Sequence, residues 1–190
     1  MDRRQRIANA GIALIARGGT HRLTHRAVDT EAGLPNGSTS YYARSRRDLI
    51  RLVMEQLSAE SQADLTDIEV LGKLTVRQAT DLVGRLAERL ILNGDAQAAR
   101  FALMFEVRDD DELRRELTVD APVRRSFDEK AVELLRALGV ADPEEKAPEF
   151  VALVDAVLMY RAVDAAPIDP AGVVETYLDG LVRRKPTAAL

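Results

Sequence analysis

An all-α fold is what this sequence predicts, and three observations carry that expectation. Apolar residues recur at a spacing of about 3.6 residues through nearly every segment. No stretch shows the sustained alternation of β-branched and polar residues that a half-buried strand needs. Glycine and proline fall where helices would end or begin, at Gly18-Gly19, Asn93-Gly94, Gly139, Pro143 and Pro170, because free backbone torsion or a missing N–H punctuates a helix.

Residues 3–17 place Ile7, Gly11, Leu14 and Ile15 on one face and stop at Gly18-Gly19. Thr24 is suited to cap a short helix to about Ala32, since its hydroxyl can accept a first-turn N–H. Gly33-Leu34-Pro35 predicts a tight turn, and a second short helix fits Asn36 to about Ala43. Ser45 caps a longer helix from Arg46 that turns Leu49, Ile50, Val53, Met54 and Leu57 toward a core. The pattern is mixed over 58–72. It returns from Thr75 with Ala79, Leu82, Val83, Leu86, Ala87, Leu90 and Ile91, then breaks at Asn93-Gly94. Another helix covers 96–107, and a long helical stretch runs from 111 to 138, bent near Pro122. Pro143 and Pro148 open a helix bearing Phe150, Val151, Val154, Val157 and Leu158, and Pro167 and Pro170 set off a last one bearing Val173, Val174, Tyr177, Leu178, Leu181 and Val182. Arg183-Arg184-Lys185-Pro186 closes the pattern, with a frayed end expected beyond it.

Composition narrows the function. With 190 residues, 46% apolar and 31% charged, the chain has the make-up of a soluble globular protein large enough to bury a core. The absence of Cys excludes disulfides, thiolate metal sites and a Cys nucleophile. His21 and His25 are the only histidines and both lie in the basic N-terminal segment, so no Ser-His or His-metal constellation is expected in the remainder, and the chain does not read as an enzyme. The run Asp109-Asp110-Asp111-Glu112 suits a helix start better than a metal site. Neither metal nor cofactor is expected. The charged N-terminus lacks a small-residue cleavage site and no apolar run reaches the roughly 18 residues of a membrane span, so a cytoplasmic location away from membranes is expected.

Net charge is divided unevenly. Residues 1–52 hold ten Arg against four acids, a net of +6, which leaves 17 basic against 27 acidic residues in the rest. Such a division suggests a polyanion-binding head on an acidic body, because Arg neutralises phosphate while carboxylates repel it.

The plan of residues 24–43, two short helices about a Gly-containing turn, is that of a helix-turn-helix, whose second helix enters the major groove. The string from Ala32 through Gly33, Leu34, Pro35, Asn36, Gly37, Ser38, Thr39, Ser40, Tyr41, Tyr42, Ala43, Arg44, Ser45, Arg46, Arg47 and Asp48 to Leu49-Ile50 resembles the signature of the tetracycline-repressor (TetR) family of bacterial regulators. The resemblance covers about residues 3–54 with specific motifs. Three departures stand out: Ala43 where the family carries Phe, Thr39-Ser40 where it carries Leu-Tyr, and Arg46 where it carries a phosphate-binding Lys.

That resemblance implies a DNA-binding domain over 1–50 and a helical ligand-sensing and dimerisation domain over 51–190. DNA contacts are expected from Thr24, Arg26, Asn36, Gly37, Ser38, Thr39, Ser40, Tyr41, Tyr42 and Arg46, which offer short or planar polar groups for base edges and a guanidinium for phosphate. It implies a homodimer on a palindromic double-stranded DNA operator, paired through the last two helices, with Val154, Val157, Leu158, Tyr177, Leu178 and Leu181 at the interface. It also implies a small apolar or amphipathic effector, for which Phe101, Met104, Phe105, Arg108, Phe127, Met159 and Tyr160 are the candidate contacts, with Asp155 and Arg161 as further polar partners. A repressor relieved by its effector is the expected behaviour; a DNA-binding regulator without an effector would carry the same head.

Overall fold

The computed structural model describes residues 1–66 and 68–183. Ten α-helices and one 3₁₀ turn make up its elements, with no strand among the described residues. They are α1 (Arg3–Gly18), the 3₁₀ turn Thr20–Arg22, α2 (His25–Glu31), α3 (Ser38–Tyr42), α4 (Arg46–Thr66), α5 (Val76–Leu92), α6 (Gly94–Glu106), α7 (Asp111–Leu117), α8 (Pro122–Ala137), α9 (Pro143–Ala162) and α10 (Pro170–Arg183). Arg184, Lys185 and Pro186, and with them the expected frayed end, lie outside the described residues.

The expected caps are in place. Thr24 Oγ1 accepts the Ala27 N–H at 3.2 Å and starts α2. Ser45 and Asp48 exchange backbone-to-side-chain bonds of 3.0 and 3.1 Å, a reciprocal cap that starts α4. Thr75 and Gln78 repeat the device at α5, at 2.9 and 3.3 Å. Asp110 Oδ1 accepts the Leu113 N–H at 3.1 Å, so the acidic run does begin a helix. The long stretch expected from 111 to 138 is two helices and not one bent helix, parted at 118–121. Pro122 has no N–H to give a preceding turn and disfavours helical torsion at Ala121, so it opens α8 and ends what came before.

The described residues form two compact units. The first comprises 1–62 and 93–123, the second 63–66, 68–92 and 124–183. Residue 50, where the sequence suggests a boundary, falls inside α4, and the unit that holds the helix-turn-helix also takes in α6 and α7. In this unit α1 packs on α2 and α6, around a core of Ile7, Ile15, Leu23, Val28, Leu49, Val53, Leu103, Val107 and Leu113. Ala43 belongs to that core at 1% exposure, filling the position where a Phe would be expected with a much smaller side chain. A Cβ on Gly11 would meet Val53 Cγ2 at 2.5 Å, so glycine at that position is what admits the close approach of α1 and α4.

In the second unit α5 packs on α9 and α10, with Ala79, Val83, Leu134, Leu135, Phe150, Val174, Leu178 and Leu181 in its core. The rings of Phe150 and Tyr177 stack at 5.9 Å.

Candidate nucleic-acid interface

The recognition helix α3 has only five residues, too few for a helix to hold itself in water. Its support comes from α2. The Asp29 carboxylate, 1% exposed, accepts three hydrogen bonds: Oδ2 from the Gly37 N–H at 2.7 Å, and Oδ1 from the Thr39 N–H at 2.7 Å and the Thr39 hydroxyl at 2.6 Å. Burial pushes this carboxyl up, but the bonds from Thr39 and Gly37, with the nearby His25, outweigh it and hold Asp29 below the usual carboxylate range. At the far end, His25 Nε2 lies 2.8 Å from the Ala43 carbonyl, which can only accept. Gly37, at φ +89°, makes the left-handed turn that brings the chain into α3.

Thr39 is therefore a correction to the expected contacts. It is 0% exposed with both its donors given to Asp29, and it faces the core instead of a ligand. Ser40 and Tyr41 are outward, Tyr41 by 81%, and Tyr42 sits at the edge with its ring 5.2 Å from that of Tyr41. Asn36 and Gly37 are exposed, and Ser38 is half-buried with its hydroxyl donating to the Pro35 carbonyl at 2.6 Å. Thr24 and Arg26 are exposed at the start of α2.

Arg46 is the second correction. Its guanidinium donates to the Leu23 carbonyl at 2.8 Å, the Thr20 carbonyl at 3.1 Å and Glu106 Oε1 at 2.7 Å, so the fork expected on a phosphate instead ties the start of α4 to the 3₁₀ turn and α6. Glu106 also accepts from the Thr20 hydroxyl at 2.7 Å; the bonds from Arg46 and Thr20 draw its pKa down against its partial burial. Arg47 pairs with Asp110 and Glu112 at 2.8 and 2.9 Å, and Arg51 pairs with Glu116 and Glu112 at 2.8 and 3.0 Å. Three arginines of α4 are thus neutralised by acids of α6, α7 and the turn between them. Arg22, Arg26 and Arg44 keep exposed guanidiniums without an ion pair among the described residues.

The sequence reading did not single out Asp29, His25, Glu106 or Glu116. A signal existed for the first two: they are four residues apart on a short helix and so share a face. The acids at 106, 110, 112 and 116 recur at near-helical spacing, as do the arginines of α4, but nothing local says which acid meets which arginine.

Four of the six interface candidates need correction as well. Val157, Leu158, Leu178 and Leu181 are buried within the chain at 8% exposure or less, and Val154 and Tyr177 pack against the same unit's core. Apolar periodicity marks burial without saying whether the covering surface is intrachain. What α9 and α10 leave outward is a second face of Ala152, Ala156 and Tyr160 on one helix and Val173, Thr176 and Gly180 on the other. The effector candidates fall on both units: Phe101 is buried, Met104 and Phe105 are exposed on α6 by 36% and 69%, and Arg108 is paired with Asp109 at 3.2 Å. Phe127 packs on the second core, Met159 is half-buried and Tyr160 is 45% exposed. A shallow hollow of ≈250 Å³ lined by Glu69, Leu71, Leu74, Gln78, Asp81, Leu82 and Arg85 contains none of them. Among the described residues no group of three or more His, Cys, Asp or Glu is arranged to hold a metal ion, and no helix is long and apolar enough to cross a membrane.

A helix-turn-helix with an outward polar recognition face, in a chain whose described elements are all helical, defines a DNA-binding regulator. The family model for the tetracyclin repressor-like C-terminal domain matches residues 74–184, more than half of the chain, and this chain belongs to the TetR family of transcriptional regulators, which are not enzymes. Solved structures agree in fold. A transcriptional regulator from Rhodococcus sp. Rha1 is similar at a TM-score of 0.78 and 14% identity, over 96% of this chain and 97% of that one. A TetR family member from Streptomyces coelicolor A3 is similar at 0.68 and 26%, over 95% and 98%. The multidrug binding protein EbrR complexed with proflavin is similar at 0.60 and 26%, over 95% and 99%. No curated protein matches the sequence.

Proposed function

We propose that the chain acts as a homodimer in the cytoplasm, binds a palindromic double-stranded DNA operator, and represses transcription until a small apolar or amphipathic effector binds its helical body. The observation that carries the DNA reading is the buried Asp29–Thr39 pair, which turns Ser40 and Tyr41 outward beside the unpaired Arg26 and Arg44. Ser40, Tyr41, Tyr42 and Asn36 are the groups for base edges and sugar–phosphate, with Thr24, Gly37 and Ser38 near the backbone. Arg26 and Arg44, with free forks, supply phosphate contacts in place of Arg46. Dimerisation uses the outward face of α9 and α10, where Ala152, Ala156, Thr176 and Gly180 permit close helix approach and Tyr160 and Val173 supply apolar area.

The effector reading is supported by the likeness to EbrR, which has been solved with proflavin and with imidazole, and by Met104, Phe105, Met159 and Tyr160, adaptable side chains that remain outside the two cores. Phe101, Arg108 and Phe127 complete the candidate set. An effector acts by favouring a dimer whose two recognition helices no longer stand about 34 Å apart, one turn of DNA.

The test is a titration of the purified chain against its own upstream intergenic DNA and against a pool of random duplexes, in a salt series. Enrichment of a two-fold symmetric sequence bound by two chains supports the reading; a pool that stays random at physiological salt refutes it. A set of apolar and amphipathic compounds is then screened for a raised melting temperature together with release of the selected duplex.

A further inference from the structure

The geometry points to α2 as a clamp on the recognition helix: Asp29 and His25 hold α3 at its two ends, and with Thr39 they are the positioning residues that decide which face of α3 meets DNA. This rests on the DNA-binding reading and deepens it.

Four polar side chains are buried among the described residues, and two of them, Asp29 and Thr39, are bonded to each other. Apolar packing between two short helices would tolerate rotation, since dispersion contacts have little direction. A carboxylate with both oxygens engaged does not, because hydrogen bonds weaken steeply off their axes. Asp29 takes Gly37 on one oxygen and both donors of Thr39 on the other, so it fixes the entry to α3 and its rotation together. With Thr39 inward and about 100° per residue, Tyr41 stands about 200° away, the outermost position, and Ser40 flanks it. Their exposure follows that order, with Tyr41 at 81% and Tyr42 at 37%.

The other end is held by a residue of the same helix face. His25 and Asp29 are four apart on α2, and the Ala43 carbonyl that His25 bonds at 2.8 Å lies just past Tyr42. All five residues of α3 therefore lie between the two attachments. The His25 bond also joins the segments carrying Arg26 and Arg44, each one residue from a bonded partner and each exposed without an ion pair among the described residues.

The experiment uses the full chain and the duplex that the wild type enriches from a random pool, with a scrambled duplex of equal length as control. His25→Ala, Thr39→Val and Thr39→Ser are measured against both duplexes in a salt series, well below each variant's melting temperature by circular dichroism. His25→Ala and Thr39→Val are expected to lose about tenfold or more on the selected duplex, comparable to one mismatched base pair. Binding to the scrambled duplex and its salt slope should stay at wild-type values, because phosphate contacts tolerate a rotated helix. Thr39→Ser, which keeps the hydroxyl donor, should restore the selectivity. A structural role alone would not change the ratio between the two duplexes. Folded variants with wild-type selectivity, or with equal losses on both duplexes, overturn the clamp. If Thr39→Val does not fold, His25→Ala carries the test, since it removes only a half-buried ring. A wild type that enriches no sequence overturns the DNA reading and the clamp with it, and that failure is seen before any variant is made.

Discussion

Arg46→Ala separates two uses of one guanidinium. In the structure Arg46 gives its donors to the Leu23 and Thr20 carbonyls and to Glu106. The carboxylate bond is an exposed ion pair, with 43% and 32% of the two side chains accessible, and such pairs are worth about 0.2–1 kcal/mol. The bond to the Leu23 carbonyl contributes more, being part-buried and made by a charged donor, and together the losses amount to roughly 1–2 kcal/mol. For a chain of this size that is a drop of roughly 2–8 °C in melting temperature. The salt slope of DNA binding should be unchanged, because a guanidinium already neutralised by Glu106 releases no counterion on binding. Arg44→Ala should do the reverse, leaving the melting temperature near wild type and lowering the slope by about 0.9 per lost phosphate contact in each subunit. Fluorescence anisotropy on the selected duplex from about 50 to 200 mM salt, beside thermal melts, reads both quantities. An Arg46→Ala protein that melts as wild type but loses the slope expected of Arg44→Ala would show that Arg46 leaves Glu106 for a phosphate, and the argument would be refuted.

Three further outcomes are expected. Gly11→Ala gains about 1 kcal/mol of helix propensity but sets a Cβ 2.5 Å from Cγ2 of Val53, a stiff side chain at 0% exposure that cannot yield; overpacking of about 1–3 kcal/mol should win, and a raised melting temperature would contradict it. The carboxyls of Asp29, Glu106 and Glu116 have folded values below their unfolded ones, so the stability they add is complete above the unfolded range near pH 4 and is lost as pH falls through the lower folded values; melts should be flat in this respect from about pH 7 to 5 and fall below about pH 4. Gly180→Glu adds a charged side chain at an exposed position with nothing within 4 Å of its Cβ, so the fold should survive while sedimentation shifts toward monomer; a dimer as strong as wild type would remove α10 from the interface.

The helix-turn-helix was legible because its signals are local. Thr24, Gly33, Gly37 and Ser45 act on backbone groups within three or four residues, and a cap or a left-handed turn works alike whatever surrounds it. Roles decided by distant partners were not legible. Thr39 and Ser40 have nearly the same chemistry, and only Asp29, ten residues upstream of Thr39, draws one inward. Leu178 and Gly180 lie on one helix, and it is the packing of α5 that buries the first within its own chain.

Charge shows why the distinction matters. The net of +6 over residues 1–52 suggests a uniformly basic head, yet Arg46, Arg47 and Arg51 are matched by Glu106, Asp110, Glu112 and Glu116, Arg17 by Glu31 and Arg4 by Glu55. An arginine matched in this way offers DNA little, since its counterion is already a carboxylate of its own chain. Arg3, Arg22, Arg26 and Arg44 are exposed without an ion pair among the described residues, and two of these, Arg26 and Arg44, lie on the segments that His25 holds together. The acids of α6, α7 and the turn between them therefore do more than offset charge: by neutralising the arginines of α4 they remove that helix from the phosphate-attracting surface, while Arg26 and Arg44, near the proposed contacts Ser40 and Tyr41, stay available. Total charge would predict binding anywhere along the head, whereas the pairing pattern removes the arginines of α4 from that surface.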